Sequence, residues 1–160
     1  YEAYSANNDL SVNVRYYRST EWDNNRWHWA LFDLDYAFYT APTFEYILKV
    51  AWHGVLFQSL LDNAGFREMF LQRLAYQLEN HLTDEALIER YYALREEIRS
   101  EVPREVARWR ASTNYDWELH LQTLERNVFS GRSEQLKLRV AELMNIPLSK
   151  VESYFAGGAA

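Results

Sequence analysis

Four oxygen-bearing side chains near the start of the chain have the types and spacing that suit a divalent cation and a reacting hydroxyl group. They are Asp9, Asn13, Asp33 and Asp35. Carboxylate and amide oxygens are the ligands that Mg²⁺ and Mn²⁺ prefer, so Asn13 and Asp33 could share one cation. A separate carboxylate, Asp9, could orient or deprotonate a hydroxyl group. A metal held by Asp and Asn, with another Asp for the nucleophile, is the set that phosphoryl transfer requires.

These side chains need an antiparallel hairpin to bring them together. Residues 12–18 and 26–33 are rich in β-branched and aromatic residues, a composition typical of strands. The polar residues 19–25 between them are typical of a turn. With the turn centred near Asp23, facing residue numbers sum to about 46, so Asn13 is expected to face Asp33 with Cβ atoms ~5 Å apart.

The rest of the chain has the apolar spacing of helices. From residue 44 onwards, apolar residues recur with a helical period, first over 46–56 and then over 66–82. The sequence therefore predicts an α+β fold that is mostly α, an N-terminal β-hairpin followed by five or six helices. A third helix is expected to begin with Thr83 as its N-cap and to end before Pro103, and a short helix is expected after Pro103. Another helix is expected from about Asp116 to Phe129. The next is expected to begin at Arg132 or Ser133, and a last short helix is expected after Pro147.

Composition narrows the possible functions. With no Cys among 160 residues, the chain has no disulfide, no Cys zinc site and no thiol nucleophile. The net charge of −6 argues against nucleic acid as a partner, because nucleic-acid binding needs a basic face. No apolar run approaches the ~18–20 residues of a membrane span. The first Gly is Gly54, so the aromatic N-terminal stretch contains no Gly-rich phosphate loop.

Other interpretations of the acidic residues stay open at this point. Asp33-Leu34-Asp35 is also typical of a turn or of a helix N-cap, and Asn8-Asp9 is common in loops. The aromatic hairpin could belong to a catalytically inactive binding module on a cell or spore surface. An Asp-x-Asp nucleotide-sugar transferase would need strands alternating with helices, which the sequence after residue 44 lacks.

Five blocks of sequence occur in an order that is found in one family. They are Asn8-Asp9 with the Asn-x-x-x-Tyr-Arg run at 13–18, the Trp-rich block with Asp-x-Asp at 26–38, the Leu-Leu-x-Asn segment at 60–70, the Pro-Arg and Arg-Trp segment at 98–109, and Phe-Ser-Gly-Arg at 129–132. In this order the blocks resemble the CotH kinase family, the spore coat protein H-like atypical protein kinases. The resemblance covers nearly the whole chain.

The resemblance implies a fold like the C-lobe of an atypical protein kinase, and the transfer of phosphate from ATP to Ser or Thr of a protein substrate with Mg²⁺ or Mn²⁺. Asp9 then resembles the catalytic-loop Asp, and Asn13 and Asp33 resemble the metal ligands. Asp35 is a second acidic position of the same block, suited to an outer or second metal ligand. Asn13 follows Asp9 by four residues, whereas the usual protein-kinase loop has five.

The resemblance also sets expectations for domain organisation. We expect residues 1–156 to be a single-domain fragment, with a catalytic-loop and metal-binding hairpin at 1–44 and a helical subdomain at 45–156. No Lys precedes Lys49, so the Lys that binds ATP phosphates is expected in an N-terminal lobe of the same protein outside this chain. The fragment alone is therefore expected to be incomplete and inactive. A secreted, cell-surface or spore-associated location is favoured by the family resemblance.

Overall fold

The computed structural model describes residues 1–7, 9, 13, 15–38, 52–110, 113 and 115–155. A short helix and a two-stranded hairpin come first, and the other described elements are helices. The elements are α1 (Glu2–Ser5), β1 (Arg15–Tyr17), β2 (His28–Ala30), α2 (Trp52–Leu61), α3 (Ala64–Asn80), α4 (Asp84–Ile98), α5 (Val102–Trp109), α6 (Trp117–Leu124), α7 (Arg132–Met144) and α8 (Leu148–Glu152). The predicted α+β, mostly α architecture is confirmed.

The hairpin is shorter than predicted and has a different register. Arg15 faces Ala30 and Tyr17 faces His28, so facing residue numbers sum to 45. Asn13 and Asp33 lie beyond the paired residues, and the prediction that they face each other across the ladder is wrong. Asp33 has a φ of 55°, in the left-handed region, which cannot continue an extended strand.

Helix starts follow the capping chemistry of the sequence. The side-chain oxygen of Asn63 accepts the N–H of Phe66 at 3.0 Å at the start of α3. Thr83 caps α4 in the same way, since its hydroxyl oxygen accepts the N–H of Ala86 at 3.1 Å. Asp116 caps α6. The predicted N-cap at Thr83 and the predicted start near Asp116 are confirmed, because these side chains satisfy N–H groups that have no partner inside the helix.

The start of one helix differs from the sequence pattern. A 3₁₀ turn, Arg99–Glu101, follows α4, and α5 then begins at Val102, so that Pro103 lies inside its first turn. Proline is tolerated there because its missing N–H would have no helical partner. The first predicted helix, 46–56, lies partly outside the described residues, which resume with α2. The predicted helix from about Asp116 to Phe129 consists of α6 and a π-helical segment, Glu125–Phe129, that follows it.

The core forms where α1 meets the helical half of the chain. Tyr4 of α1 is buried and belongs to the same apolar cluster as side chains of α3, α7 and α8. α1 has no counterpart in the sequence prediction, because four residues are too few to produce a helical period. The buried members of the cluster are Tyr4, Leu71, Leu78, Leu136, Val140, Ala141 and Val151. In the described part of the chain, no helix is long and apolar enough to cross a membrane.

The hairpin differs from the helical half because its large side chains are exposed. Tyr16 packs edge-on against Trp27, with ring centroids 5.4 Å apart. Near the turn, His28 stacks on Trp22 at 4.6 Å, and its Nε2 lies 2.8 Å from a carboxylate oxygen of Asp23. Trp27 and Trp29 are 51% and 61% exposed. The hairpin is therefore held by its own aromatic contacts on a surface that faces solvent.

Candidate functional site

A buried asparagine holds the backbone that leads to Asp9. Asn7 is fully buried, and its side-chain N–H donates to a carboxylate oxygen of Glu2 at 3.0 Å. Its side-chain oxygen accepts the backbone N–H of Asp9 at 3.1 Å. Ala6, between α1 and Asn7, has a φ of 50°, which turns the chain at this point. Both ends of the Asn7 amide are therefore used to fix the position of Asp9.

Asn13 lies directly beside Asp9. The backbone N–H of Asn13 donates to the carbonyl oxygen of Asp9 at 2.9 Å, and the side-chain N–H donates to a carboxylate oxygen of Asp9 at 3.4 Å. The four-residue spacing thus brings these two side chains together. Both residues are half-buried, so one side of each remains open to a ligand.

Asp33 and Asp35 form the second part of the site. Both residues are exposed. Desolvation raises the pKa of Asp33 above its ordinary value, and the negative charges of Asp35 and Asp9 raise it further. A hydrogen bond between the carboxyl groups of Asp33 and Asp35, which requires one of them to be protonated, is also among the causes that raise the pKa of Asp33. The guanidinium group of Arg15 acts in the opposite direction and lowers the pKa. The negative charges of Asp9 and Asp35 therefore both act on Asp33. We call Asp9, Asn13, Asp33 and Asp35 the acidic cluster.

The acidic cluster has donor chemistry that fits Mg²⁺ or Mn²⁺ together with phosphate. Within the ranges described, no three His, Asp or Glu side chains are placed to hold a metal ion by themselves. Mg²⁺ is commonly bound by one or two carboxylates, with water and substrate phosphate oxygens completing its shell. Asp33 and Asp35 supply these two carboxylates. The amide oxygen of Asn13 is a further oxygen ligand of the kind that Mg²⁺ and Mn²⁺ bind. A cation at this place would relieve the repulsion that raises the pKa of Asp33.

The two parts of the site are joined behind the acidic side chains. The backbone N–H of Phe38 donates to the carbonyl oxygen of Ser5 at 2.7 Å. The ring of Phe38 meets the ring of Tyr4 edge-on at 6.1 Å and that of Phe129 at 5.7 Å. The segment after Asp35 is therefore attached to α1, which precedes Asp9.

The sequence prediction overlooked Asn7. It is the first residue of an Asn-x-Asp run that ends at Asp9, and that spacing is the signal that could have identified it. An Asn two residues before another residue commonly accepts that residue's backbone N–H. The burial of Asn7 depends on contacts of α1, which the sequence pattern did not reveal.

A cavity of about 790 Å³ lies beside α1, apart from the acidic cluster. Its walls are mostly apolar side chains of α1, α2, α3 and α7, with Trp29 of β2 on one side. Glu2 and Arg73 are the charged residues in its wall, and no member of the acidic cluster contributes to it. Among the described residues, the lining is therefore mostly apolar, with one carboxylate and one guanidinium group.

Among the comparisons with known proteins, the comparison with protein families finds a match. No curated protein and no solved structure matches the chain. The family model described as CotH kinase protein matches residues 1–137, which is most of the 160 residues and includes the whole acidic cluster. The match also takes in α1, the hairpin and the helices as far as the first half of α7. The chain therefore belongs to the CotH kinase protein family.

Proposed function

We propose that this chain is the catalytic C-lobe of a protein kinase that transfers phosphate from ATP to Ser or Thr of a protein substrate. The hydroxyl oxygen of the substrate forms a bond to the γ-phosphorus of ATP, and the bond from that phosphorus to the β–γ bridging oxygen breaks, so that ADP leaves. In this proposal the hydroxyl proton passes to the carboxylate of Asp9. Residues 1–44 supply the chemistry and residues 45–156 support them.

The roles of the side chains follow from their charge and position. Asp9 is half-buried and its backbone is fixed by Asn7, so it suits a residue that must orient a hydroxyl group. Asn13, Asp33 and Asp35 would hold Mg²⁺ or Mn²⁺, with Asp35 as the second acidic ligand. When bound, the cation neutralises charge on the phosphates of ATP.

The observation that carries the proposal is that two other carboxylates, those of Asp9 and Asp35, act on Asp33. Asp35 and Asp9 both raise the pKa of Asp33, although the three residues come from two separate segments. Such a concentration of negative charge at an open surface costs free energy unless a cation is bound. Membership of the CotH kinase protein family supports phosphate transfer as the chemistry that uses this cation.

The test is a transfer assay with the full-length protein and an Asp33→Asn variant. Radiolabelled ATP, a Ser-rich protein and either Mg²⁺ or Mn²⁺ are supplied, and label in the protein is measured. Asn tolerates the left-handed φ of Asp33, so the variant changes the charge without straining the backbone. We expect transfer to fall by about 10³-fold or more, since this residue holds the charge-neutralising ion.

The matched control is Asp62→Asn, which removes one exposed carboxylate outside the acidic cluster. Transfer by this variant should equal that of the wild type. Full activity of Asp33→Asn would contradict the proposal. The melting temperatures of both variants are recorded, so that a loss of activity is not mistaken for a loss of folding.

A second candidate function is a catalytically inactive module that binds a partner at a cell surface or spore coat. The observation in its favour is the exposed aromatic hairpin, where Trp27, Trp29 and Leu31 are each more than half exposed. Calorimetric titration of the full-length protein with Mn²⁺ and ATP separates the two functions. Metal-dependent ATP binding supports the kinase, and no binding supports the module.

A further inference from the structure

Arg132, the first residue of α7, has a fully buried side chain. Its Nε donates to the backbone carbonyl oxygen of Tyr4, and its Nη1 donates to that of Val128 at 2.8 Å. Nη2 is buried and has no hydrogen-bond partner among the described residues. No carboxylate within the described ranges forms an ion pair with this guanidinium group.

This guanidinium group also contacts two aromatic rings that come from different segments. Its central carbon lies 4.8 Å from the ring centroid of Phe38 and 5.5 Å from that of Tyr4. Tyr4 belongs to α1, which leads through Asn7 to Asp9, and Phe38 ends the turn that begins at Asp35. One side chain of the helical half therefore touches the supports of both parts of the acidic cluster.

Stability does not explain a charged residue at this place. Burial lowers the pKa of Arg132 to about 10, which leaves it protonated at neutral pH. The carboxylate of Asp84 acts on this guanidinium group through its charge but forms no ion pair with it. A buried cation without an ion pair costs free energy, and an apolar side chain of similar length would fill the space without that cost. What distinguishes arginine is a rigid fork of donors that can hold several acceptors in a fixed arrangement.

The backbone of Phe38 needs such support. Its φ of 59° is in the left-handed region, which for a bulky residue costs on the order of 1–3 kcal/mol. The hydrogen bond from its N–H to Ser5 and the guanidinium group over its ring hold this conformation. Just before Phe38, the N–H of Ala37 donates to the carbonyl oxygen of Leu34 at 2.9 Å, which closes the turn that contains Asp35.

We propose that Arg132 is a positioning residue that clamps the segment carrying Asp9 against the segment carrying Asp33 and Asp35. The clamp consists of the hydrogen bond to the Tyr4 carbonyl oxygen on one side and the contact with the Phe38 ring on the other. Its relevance to catalysis rests on the proposed kinase function. The clamping itself is a property of the fold and can be tested independently.

The first test is hydrogen exchange, followed by mass spectrometry, on the full-length protein with Arg132→Met. We expect peptides that cover residues 1–9 and 31–38 to exchange about tenfold faster or more, because local opening of these segments becomes easier. Peptides from α3 should exchange as in the wild type. Mn²⁺ affinity, measured by calorimetry, should fall by about 10- to 100-fold, as is usual when a support of a metal ligand is lost.

Two further variants define what the arginine supplies. Arg132→Lys keeps the charge and loses the fork of donors, so it should remain impaired in both measurements. Arg139→Met is the matched control on the same helix, because Arg139 is exposed and pairs with Glu142 on the surface. It should leave exchange and Mn²⁺ affinity unchanged.

Unchanged hydrogen exchange in residues 1–9 and 31–38 of Arg132→Met would overturn the proposal. Exchange that becomes faster by the same factor throughout the chain would also overturn it, because that result indicates a general loss of stability. If Arg132→Met does not fold, Phe38→Leu removes one half of the clamp and keeps the arginine. Faster exchange confined to 31–38, with weaker Mn²⁺ binding, then supports the clamp, and unchanged values refute it. A wild-type protein without Mn²⁺ binding or phosphate transfer would refute the kinase proposal, whereas exchange still decides the role of Arg132.

Discussion

The backbone N–H of Phe38 donates a hydrogen bond to the carbonyl oxygen of Ser5 at 2.7 Å. This bond joins two parts of the chain that the hairpin separates in sequence. Asn7 and Asp9 follow Ser5, whereas Asp33 and Asp35 precede Phe38. The arrangement of the acidic cluster therefore depends on contacts behind it as well as on the hairpin.

Replacing Asn7 should impair the proposed reaction through Asp9. Asn7→Ala removes both hydrogen bonds of the buried amide and leaves the N–H of Asp9 without its acceptor. We expect a loss of about 1–3 kcal/mol in the free energy of unfolding, measured with urea. In the full-length protein, kcat should fall by about 10- to 100-fold through misplacement of Asp9, with the KM for ATP little changed.

The matched control is Asn80→Ala, since Asn80 is exposed at the end of α3 and its side-chain N–H donates to the carbonyl oxygen of Tyr76 in the same helix. Its kcat should equal the wild-type value. A kcat for Asn7→Ala within twofold of the wild type would show that Asn7 has no positioning role.

The carboxylate pair should make stability depend on pH. Because the pKa of Asp33 is raised in the folded state, the folded state binds the proton more tightly than the unfolded state does. The folded state therefore loses stability as the pH rises from 3.8, the ordinary value, through the raised pKa. Asp35→Asn removes the neighbouring charge, so it should raise the melting temperature at neutral pH and have least effect below pH 3.8.

Melting temperatures across this pH range, together with an NMR titration of the Asp33 carboxyl group, check the prediction. In Asp35→Asn the pKa of Asp33 should move down toward its ordinary value. An equal gain in melting temperature at every pH would mean that the two carboxyl groups do not interact.

A prediction about the hydrophobic core compares two leucines of α7. Leu136 is 2% exposed and Leu138 is 46% exposed, although they are two residues apart on the same helix. Leu136→Ala should cost about 2–5 kcal/mol in the free energy of unfolding because it leaves a cavity. Leu138→Ala should cost less than about 0.5 kcal/mol. Urea unfolding followed by circular dichroism measures both, and equal costs would contradict the described packing.

Asp84 links the start of α4 to the start of α7. One of its carboxylate oxygens accepts the backbone N–H of Ser133 at 3.0 Å and lies 2.9 Å from the hydroxyl oxygen of Ser133. Asp84→Ala should therefore cost about 1–2 kcal/mol of unfolding free energy. Glu85→Ala is the control, since it removes an exposed charge from the same first turn of α4. If both variants lose the same amount, the link to α7 contributes nothing.

The sequence predicted what depends on local chemistry and on composition. The hairpin, the N-cap of Thr83 and the helix start near Asp116 each follow from side chains within a few residues. The family followed from ordered blocks along the chain, and it is confirmed by the match over residues 1–137. The roles of the four acidic-cluster residues remain predictions.

Backbone conformation in a turn and contacts between distant parts of the chain account for what the sequence did not reveal. The hairpin register differs by one from the expected value, and Asp23, Asn24 and Asn25 all adopt positive φ in the turn, a conformation that composition alone does not specify. The burial of Arg132 depends on Tyr4, which lies 128 residues earlier in the chain. A surface helix with several arginines has the same local pattern, so periodicity could not separate Arg132 from Arg139.

The exposed aromatic side chains of the hairpin determine what intrinsic fluorescence will report. Trp22, Trp27 and Trp29 are between 49% and 61% exposed, and Trp109 is 67% exposed. Indole groups in contact with water emit at long wavelength in the folded protein already, so melting of the helical core will shift their emission little. Emission from the hairpin should move to shorter wavelength, and become harder to quench with iodide, when another domain or a protein substrate covers it. The fluorescence of the hairpin tryptophans is therefore an assay for association of this protein, and circular dichroism is the assay for its unfolding.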